Sequence, residues 1–435
     1  MQKLSLLLSL IVLGFYPLVS DSQELSPHPG KSVYIPKDLV NNDFSNPDSQ
    51  WSWSRMAYTD NIVVFWEKGF GNDLQSPPPL EGHDMSVDLA NLLSKLEYFY
   101  SFYKDELKFV LPGSKSEKYR MMVMLNYSLE GTAYGGDYDN EIGALWISPN
   151  RVKDKTLNCI AHELGHSFQS QVMADGTGEA WGGGGIFEMT SQWMLWNVNP
   201  NWVSDENYHW KGFIEHFNER FLSGENIYHS PYVLEYWSMK HGKTVIGDLF
   251  RAGKRGEDPA TTYMRIFNMS LDEMSMEMYD CYSRLITFDF PRVKTSHRQF
   301  ACELVTPKMK QEETGNKVVI SPIEESLPGT YGFNIFELPL TDKGKTIVFE
   351  GNPTDSNTGY RYGIVLVDKD RNATYLPSLN TLKGKLKYRT NSDTYKAFMV
   401  VVGCPKENYP LIKFNPYDSS ERPKDARYDY HVTVK

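Results

Sequence analysis

Several things are scarce in this chain. Its 435 residues include four cysteines, Cys159, Cys281, Cys302 and Cys404, and the lack of any C-x-x-C spacing argues against a cysteine zinc site or a dithiol redox pair. A Cys281–Cys302 bridge and two buried thiols both remain open in an exported protein. There is no basic stripe, and the net charge is −10, which excludes nucleic acid as a natural partner. Apolar runs are short. The longest, residues 4–15, falls well under the roughly 20 residues needed to span a bilayer. It follows Met1-Gln2-Lys3 and precedes Pro17, Ser20 and Ser22, the order of a signal peptide cut after Ser20 or Ser22. No cysteine near that cut offers a lipid anchor. The expected product is secreted, periplasmic or held at the cell surface, with no transmembrane segment once residues 1–22 are gone.

What is present centres on Ala161-His162-Glu163-Leu164-Gly165-His166-Ser167-Phe168, an H-E-x-x-H match in a segment whose Leu157, Ile160, Ala161, Leu164 and Phe168 recur at helical spacing. At about 100° per residue, His162 and His166 differ by about 40° around a helix and about 6 Å along it, so both imidazoles can meet one ion. Glu163 projects beside them, able to touch water on that ion. Zinc suits the pair because it accepts imidazole and carboxylate ligands, keeps a position open and acidifies water. With 10 histidines in the chain, chance alone would give this pattern in roughly one such chain in a hundred.

Some 410 residues remain after cleavage, enough for two or three domains. Residues 23–50, rich in Ser, Pro, Asn and Asp, read as a loosely held leader. A strand is predicted over Ile62–Trp66. A helix follows Pro77-Pro78-Pro79, with Leu89, Leu92, Leu93, Leu96, Phe99, Tyr100 and Tyr103 on one core-facing stripe. Strands at residues 119–125 and 143–147 flank a loop containing Gly131, Gly135 and Gly136. Past the motif, Gly182 to Gly185 make a turn before a helix that begins near Ile186 and carries Glu188. Helical text continues through 209–221, 231–240 and 271–285. After about residue 315, short alternating runs predict an antiparallel β-sandwich. The expected fold class is α+β, with a catalytic domain over 23–310 and an all-β domain over 315–435.

Two histidines leave zinc short of a third protein ligand, for which Asp175, Glu179, Glu188, Asp205 and Glu206 are candidates. Glu188 lies 22 residues beyond His166 (188 minus 166) and opens Glu188-Met189-Thr190-Ser191. H-E-x-x-H followed after about twenty residues by E-x-x-S resembles the gluzincin, or thermolysin-like, zinc peptidases over residues 140–200. That resemblance implies a zincin-like fold, His162, His166 and Glu188 as zinc ligands, and Glu163 as general base. It also implies a Tyr or His downstream to stabilise the oxyanion, for which His229 and Tyr232 are the choices, with Tyr236 and His209 as further options. The chain departs from the thermolysin pattern N-E-x-x-S-D at Phe187 and Gln192, where a partner for a zinc histidine is expected. The metzincin continuation fails at Gln169 and Val172. Over most of its length the chain, including Val64-Phe65-Trp66-Glu67 and Tyr331-Gly332-Phe333, also resembles a little-characterised group of secreted bacterial proteins of unknown function. The expectation is a peptidase acting on protein or glycoprotein. The alternative is a surface glycan- or protein-binding protein with an inactive zincin domain, motivated by the 14% aromatic content.

Overall fold

The computed structural model describes residues 30–183, 186–315, 317–410 and 425–435; the predicted signal peptide lies outside them. The first sheet takes its β-branched and aromatic runs as strands β1 (Met56–Tyr58) and β2 (Ile62–Trp66), then continues after helix α1 (Leu89–Asp105) with β3 (Met121–Leu125), β4 (Ala133–Tyr138) and β5 (Ile142–Ile147). The order is β1-β2-β3-β5-β4. Strands β2, β3 and β5 are parallel, so the chain must cross over between β2 and β3, which α1 does. All five residues of β2 and of β3 are buried, as a sheet covered on both faces requires.

One expectation is corrected here. The glycine-bearing loop between the strands is itself a strand, β4, antiparallel to β5 and at the edge of the sheet. Its Gly135 is what admits a helix. Helix α2 (Asn158–Ala174) carries the H-E-x-x-H motif across β4 and β5, and a Cβ on Gly135 would stand 1.8 Å from the Glu163 carbonyl oxygen. Ser167 Oγ donates to Ala144 O at 2.8 Å, Gly143 N donates to Gln171 Oε1 at 2.9 Å, and Tyr103 OH donates to Ala161 O at 2.9 Å. Motif, sheet and α1 are thus tied together by buried hydrogen bonds, each contributing about 1 kcal/mol.

The leader is also more firmly held than its composition suggests. From residue 30 it runs along the sheet: Ser32 N donates to Lys118 O and Arg120 N to Ser32 O, both at 2.9 Å. The Arg120 guanidinium donates to Lys31 O and Thr59 O, and Phe44 and Trp51 are buried in the core. Polar composition described the solvent side of this segment, while two aromatics and one arginine fix it.

Helix α3 (Ile186–Val198) packs against α2 and is followed by α4 (Trp202–Asp205), α5 (Asn207–His216), α6 (Tyr232–His241), α7 (Val245–Ala252), α8 (Pro259–Ile266) and α9 (Leu271–Leu285). Beyond them lie β6 (Met309–Thr314), β7 (Lys317–Pro322), β8 (Phe333–Leu338), β9 (Lys345–Asn352), β10 (Thr358–Asp368), β11 (Ala373–Tyr375), β12 (Lys383–Tyr388), β13 (Thr394–Pro405) and β14 (Asp429–Val434). They form a four-stranded sheet, β11-β10-β13-β8, and a five-stranded one, β12-β9-β14-β7-β6, both antiparallel. Ile364, Met399 and Val401 of the smaller sheet share a core with Phe349, Tyr430 and Val432 of the larger. The other face of the smaller sheet, through Val365, Phe398, Val400 and Val402, joins the core of the helices. Phe333 lies flat on Tyr282 of α9, ring centroids 3.8 Å apart. The whole is a mixed, α+β architecture.

All four cysteines are free, with Cys281 and Cys302 buried, which decides for thiols over a bridge. Phe349, Tyr360, Tyr362 and Tyr430 of the paired sheets are buried too. The aromatic content that suggested sugar-binding rings is largely core.

Candidate metal centre

The α2–α3 contact builds the site. Gly165 makes it close, since a Cβ there would come within 2.8 Å of Ser191 Oγ; with no side chain between the helices, Glu188 in the first turn of α3 reaches α2. Glu188 Oε2 lies 3.0 Å from His162 Nε2 and 3.1 Å from His166 Nε2, and the two Nε2 atoms are 3.1 Å apart. The side chains of all three are about one-tenth exposed. Among the described residues, this is the group of three that could hold a metal ion.

The opposite side of each ring fixes its proton. His166 Nδ1 faces Gln169 Oε1 at 3.1 Å, and that amide cannot be reversed because its nitrogen donates to Phe187 O and Ser191 Oγ, both at 3.0 Å. His162 Nδ1 faces Gln192 Oε1 at 3.3 Å, with the Gln192 nitrogen donating to Tyr228 O at 3.0 Å. Both Nδ1 atoms therefore carry hydrogen, and both Nε2 lone pairs point at each other and at a carboxylate oxygen. Three acceptors brought together in a dry place call for a cation. The fit to zinc is good: with bonds of about 2.0–2.1 Å, ligand atoms of a tetrahedral site lie roughly 3.3 Å apart. With no ion bound, a proton on the ring nitrogens takes the cation's place: burial pushes the Glu188 carboxyl up, but hydrogen bonds and charge from His162 and His166 outweigh it and hold the group well below the usual carboxylate range. Burial lowers His166 while Glu188 raises it, and the net shift is upward.

Glu163 is half-buried on the same helix, next to His162. One turn before it, Cys159 is an inert thiol, pushed up to about 12 by burial. The other third-ligand candidates are engaged elsewhere. Asp175 accepts from Lys115 N and Gln171 Nε2, Glu179 from Arg255 N, Asp205 from Asn199 Nδ2, and Glu206 from Trp202 Nε1 and Asn158 Nδ2.

The two residues chosen for the oxyanion are not brought to the triad. Tyr232 is 1% exposed, enclosed by Trp196, Trp210, Phe213 and Phe288. It is a core ring of α6. His229 bonds through Nδ1 to His209 Nδ1 at 2.7 Å, with His209 and Gln192 standing between it and His162. Tyr236 donates to Asp280 at 2.9 Å. The phenol that does stand at the site is Tyr228, missed in the sequence: it is 42% exposed, and its ring lies over the His162 ring at 6.0 Å between centroids, tilted by 26°. Gln169, three residues after His166, and Gln192, four after Glu188, were within reach of helical spacing. Tyr228 comes from a turn and had no such signal.

On the sheet side, Ser148 N donates to Thr132 O at 2.8 Å. Antiparallel alternation then turns the backbone of Tyr134, Gly136 and Tyr138 toward β5, leaving that of Ala133, Gly135 and Asp137 facing outward along an edge that pairs with no other strand among the described residues, beside Glu163.

Fold and site together define an α+β protein built round a His₂Glu cluster suited to a divalent ion. The chain belongs to DUF6055, a family of unknown function, whose model matches residues 26–435. No curated protein matches it. Among solved structures it has a weak likeness to the ZmpB metallopeptidase from Clostridium perfringens, at 13% identity and a TM-score of 0.32 over 77% of this chain and 69% of that one. A second structure, of the CBM32-1, CBM32-2 and M60 catalytic domains of the same protein, gives 14% and 0.32 over 76% of this chain and 37% of that one. A third, of its M60 catalytic domain with CBM51-1 and CBM51-2, gives 9% and 0.31 over 89% and 59%. The fold and the site stand on the chain's own geometry, since likenesses this weak support neither.

Proposed function

We propose that this chain is an exported zinc peptidase of gluzincin type, cleaving peptide bonds in protein or glycoprotein substrates. The observation that carries the reading is the meeting of His162 Nε2, His166 Nε2 and Glu188 Oε2 at 3.0–3.1 Å, with both Nδ1 atoms committed to glutamine oxygens. His162, His166 and Glu188 would hold the ion, which supplies a Lewis acid able to acidify water and polarise a carbonyl. Glu163 takes the proton of the attacking water and passes it to the leaving amine. The free edge of β4 pairs with extended substrate through Ala133, Gly135 and Asp137, aligning the scissile bond along α2. Tyr228 takes the place intended for Tyr232 and His229, as the phenol near the carbonyl oxygen. Residues 1–22 direct export, residues 23–310 form the catalytic domain and 315–435 the β-domain. The test pairs metal analysis with a denatured protein mixture read by mass spectrometry. Wild-type protein binds one zinc and produces new peptide termini, whereas Glu163→Gln binds the same zinc and produces none. Full cleavage by Glu163→Gln, or no zinc uptake from excess metal, would sink the proposal.

A further inference from the structure

The departure at Gln192 has a structural counterpart. A carboxylate behind a zinc histidine acts alone, as a charged acceptor; an amide has a second end, which must also be satisfied. Here that end is Nε2, which donates to Tyr228 O at 3.0 Å and lies 3.1 Å from His209 Nε2. A carbonyl can only accept, so the nitrogen is fixed in that position and His209 Nε2 must be bare. His209 therefore carries its hydrogen on Nδ1, 2.7 Å from His229 Nδ1, which must accept, leaving the His229 hydrogen on Nε2. Every donor in the series points the same way: His162 Nδ1 to Gln192 Oε1, Gln192 Nε2 to His209 Nε2, His209 Nδ1 to His229 Nδ1. Bonds aligned head to tail polarise one another. The Glu206 carboxylate stands 3.6 Å from His209 Nε2, farther than the Gln192 nitrogen and beyond hydrogen-bond reach, while burial, with His229 and His162 nearby, takes His209 down to about 3, and burial also lowers His229. Trp202 and Tyr208 clamp the His209 ring at 5.2 and 4.2 Å.

We propose that Gln192, His209 and His229 are positioning residues forming a one-way hydrogen-bond chain that sets the His162 tautomer and pins the Tyr228 turn over its ring. The proposal rests on the reading of His162 as a metal ligand, but not on hydrolysis. Its logic is that one amide fixes two things at once, the lone pair offered to the ion and the backbone of the phenol beside it. An aspartate could supply only the first.

The experiment uses the full chain and three substitutions. Gln192→Met keeps the length and bulk of the side chain and removes both of its hydrogen bonds. Zinc affinity, measured by competition with a chromophoric chelator, falls about 10- to 100-fold, the range for the loss of such a partner. Nitrogen NMR of the zinc-free protein shows His162 no longer held as the Nδ1–H form. Gln192→Glu restores the acceptor and the zinc affinity but cannot donate to Tyr228 O, so KM rises while zinc stays bound. His209→Phe keeps the ring contacts with Trp202 and Tyr208, and lowers zinc affinity by a smaller factor than Gln192→Met but more than twofold; it decides the matter if Gln192→Met does not fold. Zinc affinity within twofold of wild type in both Gln192→Met and His209→Phe, with the His162 signal unchanged, overturns the chain. Absence of zinc binding at any concentration overturns it together with the metal-site reading. If cleavage alone fails, Glu163 and the peptidase reading fall, and the affinity and NMR results still decide the role of Gln192.

Discussion

Two histidine pairs stand on either side of Gln192, and the same ring does opposite work in each. In His162 and His166 both Nε2 atoms are bare and converge with a carboxylate. In His209 and His229 one ring donates to the other at 2.7 Å, so no two bare nitrogens of that pair converge. The difference lies in what faces the far nitrogen. Glutamine oxygens behind His162 and His166 force their lone pairs inward, whereas a glutamine nitrogen facing His209 turns its hydrogen outward. Proximity of imidazoles is thus a poor guide to metal binding; the direction of their protons decides.

The sharpest way to break the comparison is to remove one converging lone pair. His166→Ala should leave protein that retains no zinc after dialysis and has no hydrolytic activity, by metal analysis and peptide cleavage; retained zinc at full stoichiometry would place the ion elsewhere. Next in size, Glu163→Gln should reduce turnover about 10²- to 10⁴-fold with zinc content unchanged, as expected for loss of a general base. Gly165→Ala tests how the first pair is assembled. Its new methyl would meet Ser191 Oγ at 2.8 Å, so α3 must shift, with an expected cost of about 1–3 kcal/mol in urea denaturation and weaker zinc binding.

The effect smallest on activity belongs to the second pair. His209 has a folded pKa near 3 against about 6.5 in an unfolded chain, so between those values the unfolded state binds the extra proton. Stability should rise with pH across that window and fall as the solution is acidified through it. His209→Gln should flatten this acid slope in urea midpoints measured from pH 4 to 7. An unchanged slope would show that His209 does not titrate as its burial implies.

The two pairs also differ in how readily the sequence showed them. His162 and His166 share one helix, and a four-residue spacing is geometry enough to place them together. Glu188 required only the next helix. His209 and His229 come from α5 and the turn before α6, and meet only because the helical region packs as it does; nothing local reports this. Strand β4 was hidden for another reason. Gly135 and Gly136 look like a loop, yet the glycine at 135 is what α2 demands of the strand it lies on. Tyr232 was misread because the chain has 27 tyrosines, and a ring in the core has the same letter as one at a site. The leader was misjudged because Arg120, which grips it, lies some ninety residues downstream.

The small sheet β11-β10-β13-β8, greasy on both faces, acts as a party wall between the helices and the outer sheet. Neither neighbour can be dismantled without opening the other to water. Heating should therefore give a single calorimetric peak, and protein cut near residue 308 should clump rather than survive as an independent domain.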